Sequence, residues 1–135
     1  MWINLIVALS NLVFGLPLFK VADKFYESYL LVLTILASTL MHLSEIKHGL
    51  PGIQPFNLWS CYFLQFDRIM AVMSGIYVAY QVLVMGIPIN WLIGIVGLIL
   101  GLLSERVNHG QIWFAITHIG WHWAAFYILD MSFQG

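Results

Sequence analysis

Hydrophobic positions dominate five long stretches of the chain, at about 2–19, 25–46, 58–85, 89–105 and 111–131. A helix that crosses a bilayer needs roughly 20 mostly apolar residues, and each stretch comes close. The breaks carry turn and charge signals. Pro17, Lys20, Asp23 and Lys24 close the first run, and Lys47, His48, Gly49 and Pro51 close the second. Asn57 opens the third, which Gly86 and Pro88 end; Glu105, Arg106, Asn108 and Gly110 end the fourth. In lipid an open backbone group has no water to bond, so apolar runs become helices or closed barrels. These runs are too long and too continuously apolar for barrel strands, which alternate over about ten residues. The pattern therefore predicts an all-α, polytopic transmembrane bundle of about five spans, forming one domain over 1–135. Trp2, Trp59, Trp91 and Trp113 each fall near a predicted helix start, where an interfacial aromatic belt places them. Gly97 and Gly101 make a GxxxG in the fourth run, read as a tight contact within the bundle rather than a dimer motif.

Composition agrees. Of 135 residues 61% are hydrophobic and 8% charged, and mean hydropathy is +0.90. Soluble domains carry about a quarter charged residues. Five basic and six acidic side chains give a net charge of −1, so there is no basic surface for nucleic acid. The single cysteine, Cys61, allows neither an internal disulfide nor a thiolate zinc site. The start, Met1-Trp2-Ile3-Asn4, lacks a basic stretch and no small-residue cleavage site follows, so the first run reads as mature sequence. With five spans, loops 47–57 and 106–110 share the N-terminal side. Lys47, Arg68 and Arg106 there, against Lys20 and Lys24 opposite, lean that side towards the cytoplasm.

Ionisable residues inside a span cost free energy and are functional candidates by default. The second run carries Ser38 and His42, then Ser44 and Glu45; the third carries Asp67 and Arg68; the fifth carries His118 and His122. Spacing four puts Ser38 and His42 on one helical face, and likewise the two histidines of the last run. Alternating the direction of five spans places His42, Asp67 and His118 in one layer, towards the N-terminal side. Three neutral imidazoles at one depth suit a divalent metal, zinc best, with one position left open. Asp67 has Leu64, Met70, Phe63 and Ala71 at i±3 and i±4, so no helical neighbour pairs its charge; Arg68 is expected to point elsewhere. The carboxylate is then available to orient or deprotonate a water, and Ser38 to hydrogen-bond water or a carbonyl. Glu45, at i+3 from His42, is either an outer carboxylate of the site or an interfacial acid. His48 and His109 read as solvated loop residues, and Lys20, Asp23, Lys24 and Glu27 as a solvated turn.

The pattern Ser38-Thr-Leu-Met-His42, Asp67 and His118-Ile-Gly-Trp-His122 resembles the CREST superfamily of membrane proteins. That group includes alkaline ceramidases, adiponectin/progestin-type receptors, lipid-remodelling hydrolases of GPI-anchor maturation and myomaker-like proteins. The matching segments, about 34–70 and 112–126, cover under half of the chain. The resemblance implies zinc on His42, His118 and His122, with Ser38 and Asp67 beside a metal-bound water that attacks a lipid amide or ester. It also implies a fold of usually seven helices, of which this sequence gives five. Removing two helices between the third and the last preserves parity, so HxxxH still enters from the same side. The membrane supplies the substrate; the oligomeric state is not legible. Two other functions fit the same residues. One is a non-catalytic, zinc-stabilised membrane-remodelling or receptor-like protein. The other is a haem protein with His42 and one of His118 and His122 as axial ligands.

Overall fold

A computed structural model describes residues 1–106 and 110–135. The reading of Asn108 as part of a helix stop and of His109 as a loop residue lies outside the described residues. Among the described residues there are five α-helices and no strand: α1 (Trp2–Gly15), α2 (Phe25–Ser44), α3 (Ser60–Leu83), α4 (Trp91–Ser104) and α5 (Gly110–Phe133). Short 3₁₀ turns occupy Leu16–Lys20, Lys47–Gly49 and Phe56–Trp59.

Local chemistry sets the ends. Pro17 lacks an N–H and its ring crowds the carbonyl four residues back, so the first run leaves α geometry at Gly15 and tightens into a 3₁₀ turn. At the start of α2 the Glu27 carboxylate accepts the Lys24 backbone N–H at 3.1 Å, half of a capping box. Asn90 accepts the N–H groups of Leu92 and Ile93 at 3.1 and 3.4 Å. This cap starts α4 at Trp91, two residues later than the apolar pattern suggests.

α1 packs between α2 and α5; α3 lies on α2, α4 lies on α5, and α3 also touches α5. α3 and α4 do not pack along each other, and neither do α2 and α5. The fold is thus a row of helices bent round on itself with a gap between α3 and α4. One core cluster joins Leu18, Leu31, Ile35, Phe126 and Leu129; a second joins Val7, Leu50, Phe114 and Ala115. Gly97 and Gly101 sit against α5. A Cβ on Gly97 would fall 2.5 Å from that of Ala124, and one on Gly101 would fall 3.2 Å from the Trp121 ring. Both glycines therefore serve a contact within the bundle, as the sequence suggests.

Large apolar side chains reach the surface while several polar ones share the interior with the apolar core. Leu83, Ile112 and Leu92 point outwards, while Asn4, Asn11, Glu27, Ser104 and Ser132 are fully enclosed. Two stretches, Trp2–Lys20 and Phe25–Ser44, are long and apolar enough to cross a membrane. The expectation of a solvated turn fails at Glu27. Lys20, Asp23 and Lys24 are exposed, but Glu27 is buried and accepts the Tyr77 hydroxyl at 2.6 Å, with Gln81 Nε2 donating to that hydroxyl at 2.8 Å. The helical register of α2 turns Glu27 inwards to α3, and the tyrosine compensates part of its desolvation.

Candidate metal centre

α2 and α5 face each other across a space that only their side chains bridge. Into it α2 sends His42 and α5 sends His118 and His122, all buried. The three ligand nitrogens lie within 4.8 Å of one another, and His42 Nε2 is 3.1 Å from His122 Nε2. Three buried histidines are thus close enough to bind one metal ion. The i, i+4 spacing on α5 makes two of them neighbours; the tertiary packing of α1 against both α2 and α5 brings in the third.

The outer nitrogens reveal which tautomer each ring adopts. Ser10 Oγ lies 2.7 Å from His122 Nδ1 and donates its proton to Val7 O at 2.6 Å. Ser104 Oγ lies 2.9 Å from His118 Nδ1 and donates to Gly101 O at 2.7 Å. A hydroxyl has one proton. Each serine has committed its proton to a carbonyl, so it accepts from the histidine, and Nδ1 carries the hydrogen. His42 Nδ1 meets Glu45 Oε2 at 2.9 Å. A carboxylate can only accept, so there too the hydrogen is on Nδ1. All three rings therefore turn an Nε2 lone pair inwards. Lone pairs 3.1 Å apart in a dry interior repel, and a cation between them removes the conflict. Metal-binding histidines use this arrangement, donating the far N–H to a carboxylate, carbonyl or similar acceptor. The donor set fits a first-row divalent metal.

Glu45 is buried and contacts the histidine cluster through His42 Nδ1. Asn4 Nδ2 donates to His42 O at 2.9 Å and to Glu45 O at 2.8 Å, fixing the end of α2, where helical carbonyls lack partners.

A cavity of about 780 Å³ adjoins the histidines between α3 and α4, within the range that encloses drug-sized ligands. Ser38, Glu45, Asp67, His118 and His122 line it. Ser38 Oγ is 3.5 Å from His122 Nε2 and shares the cavity lining with Asp67. The structure thus brings all five sequence-predicted site residues together. Two surrounding expectations change. Arg68 does not point away; it lines the same cavity. His48 is only half-buried, and its ring stacks on Phe114 with centroids 4.4 Å apart.

Sequence reasoning missed Asn4, Ser10 and Asn11 on α1 and Ser104 on α4. The first three carried a signal, since they are polar residues in an apolar run and Asn4 and Asn11 are seven apart, on one face. Ser104 carried none, because serine is ordinary near the end of a helix. Comparison with known proteins yields no match: no family model, no curated protein and no solved structure matches the chain.

Proposed function

We propose that this chain is a multi-pass membrane protein of the CREST type, a zinc-dependent hydrolase acting on a lipid amide or ester. The observation that carries the reading is the set of three inward Nε2 atoms, each ring held at Nδ1 by its own acceptor, opening beside a carboxylate in a lipid-facing cavity. The outward apolar side chains support a bilayer setting. α3 and α5, at 24 residues each, reach about 36 Å and match a hydrocarbon core of about 30 Å. α4, at 14 residues, reaches about 21 Å, so the membrane thins or the polar ends of α4 sit below the interface.

His42, His118 and His122 would hold zinc, which supplies a Lewis acid for a carbonyl oxygen and lowers the pKa of a water to about 7. The chain does the rest. Asp67 takes the proton from the attacking water and delivers it to the leaving amine or alcohol. Ser38, between Asp67 and His122, holds water or substrate carbonyl in line and is no nucleophile, because its neighbour His42 has no lone pair to spare as a base. Ala71, Val78, Leu98 and Phe126 line the cavity and receive the acyl chain. The gap between α3 and α4 is a lateral entrance from the bilayer, and lipid completes the wall that two further helices supply in the larger family.

The test is metal analysis of the purified wild type and His118→Ala, with a screen of lipid amides and esters. About one zinc per chain, lost in the variant, is expected together with hydrolysis. Undiminished stoichiometric zinc in His118→Ala would sink the ligand assignment. A zinc-loaded wild type that cleaves none of these lipids would leave the non-catalytic function in its place.

A further inference from the structure

A glycine inside a helix weakens it, because its backbone gives up more freedom on folding than that of any other residue. Close packing explains most of the helical glycines in this chain. A Cβ at Gly15, Gly97 or Gly120 would fall 2.5–2.8 Å from a side chain of a neighbouring helix, and one at Gly101 would fall 3.2 Å away. Gly75 and Gly94 have no such reason. Among the described residues nothing lies within 4 Å of a Cβ at Gly75, and at Gly94 the first atom met is Ile128 Cδ1 at 3.9 Å, an ordinary contact. Both lie within α-helices, α3 and α4, so no turn requires them. What they share is the cavity, whose wall both form from the two helices that flank the gap.

Contacts across the helices set the depth of each. Ser38 lies 3.5 Å from His122, which fixes the level of the metal centre on α2 and α5. Four residues along α2, about 6 Å from that level, Thr34 bonds Ser74 of α3 at 3.0 Å. Gly75 is the next residue, about 7–8 Å from the centre's level. On α5, Ile128 lies six residues or about 9 Å beyond His122, and Gly94 stands against it. The two glycines thus widen the cavity at one depth. Beyond them, Val78, the last lining residue of α3, packs against the core cluster that contains Leu129, the last of α5.

The lining is polar at the histidines, where Ser38, Asp67 and Arg68 stand, and apolar at Val78, Ile128 and Leu129. Between them Thr34 and Ser74 satisfy each other. Such a track suits an amphiphile with its polar end at the metal centre. An extended chain advances about 1.2 Å per carbon, as a polypeptide covers about 3.5 Å over three bonds. From a carbonyl at the histidines, about six to seven carbons therefore reach the level of the glycines.

We propose that Gly75 and Gly94 are specificity-determining residues, whose missing side chains admit an unbranched acyl chain longer than about seven carbons. This rests on the hydrolase reading for placing the carbonyl at the histidines, but its test needs no turnover.

The probes are 2-heptanone and 2-tridecanone, ketones with no bond to hydrolyse. Their chains extend about 6 and 13 Å beyond the carbonyl, so the first stops short of the glycines and the second passes them. Binding to the purified, metal-loaded protein in detergent is followed by tryptophan fluorescence, since Trp91 and Trp121 line the cavity. Partition of a probe into detergent cancels in the ratio of variant to wild-type affinity. Gly75→Leu should weaken 2-tridecanone at least about tenfold, the low end for one misplaced methylene in an apolar pocket, and leave 2-heptanone within about twofold. Gly94→Leu should repeat the pattern from α4, and it decides the question if Gly75→Leu does not fold. If neither leucine variant folds, Gly75→Ala, whose methyl meets no atom, should show a smaller loss confined to 2-tridecanone. Equal losses for both ketones, or no loss for either, overturn the proposal. If the variants bind both ketones as wild type does while lipid amides are still hydrolysed, this inference falls alone. A length-dependent loss in a protein that cleaves no lipid upholds it and rejects the hydrolase reading. If wild type binds neither ketone, the cavity is no acyl site and the inference falls with that assignment, whereas zinc content and hydrolysis judge the metal centre separately.

Discussion

Replacing Ser104 by alanine is the sharpest probe of the proton accounting, because Ser104 touches the metal centre only through His118. The hydroxyl accepts from His118 Nδ1 at 2.9 Å, and His118 is 7% exposed. Ser104→Ala removes that acceptor and no water replaces it. The stranded N–H costs about 1–3 kcal/mol. The ring escapes by moving its hydrogen to Nε2, which abolishes the inward lone pair, or by rotating, which misaligns it. Either way the loss appears in metal binding. At 1.4 kcal/mol per tenfold, about 1–3 kcal/mol is roughly a five- to 150-fold weaker zinc affinity, which spans the ten- to hundredfold typical of outer partners of metal-binding histidines. The assay is competition for zinc against a chelating indicator in detergent, for wild type, Ser104→Ala and Ser104→Thr. Threonine keeps a hydroxyl at the same place and should restore most of the affinity. Ser10→Ala tests the same logic at His122, where the contact is 2.7 Å. Zinc affinity within twofold of wild type in both alanine variants would refute the tautomer argument and with it the case for a built metal site.

Other outcomes follow from the same geometry. Asp67→Asn should keep zinc and helicity but lose most lipid hydrolysis, since the shape stays and the base goes; wild-type turnover in that variant would move the base to Glu45. Ser38→Ala should lower the hydrolytic rate about ten- to a hundredfold, the range for an outer partner; an acyl adduct trapped on Ser38 would reject its assignment as a positioning residue. Tyr77→Phe should destabilise the protein by about 1–3 kcal/mol, read as a lower midpoint of thermal unfolding, because the buried Glu27 carboxylate loses a hydroxyl donor and Gln81 Nε2 loses its acceptor. Gly97→Ala should cost about 1–3 kcal/mol in the same assay through its clash with Ala124; an unchanged midpoint would show that α4 rides loosely on α5.

How the site assembles separates what the linear pattern carries from what it does not. The five helices were legible because lipid-compatible apolar runs and their breakers are local properties of the chain. So was the pairing of His118 with His122, because i, i+4 neighbours meet on any helix. The common depth of His42, Asp67 and His118 followed from alternating the direction of the runs, which needs no packing detail. Sequence alone thus determined an all-helical chain with three histidines, a serine and an aspartate at one level.

Tertiary structure decided which groups touch them. Ser10 reaches His122 only because α1 packs between α2 and α5, and Ser104 reaches His118 only because the glycine face of α4 closes on α5. Those contacts depend on helix rotation and neighbour order, which apolar periodicity leaves open where every face is apolar. The same ambiguity explains Glu27, which sits at a run boundary where solvent and interior are one helical turn apart, and the register of α2 turns it inwards. It explains Asn11 as well. A polar residue in an apolar run announces that something must pair with it, but only the packed helices show that nothing among the described residues does.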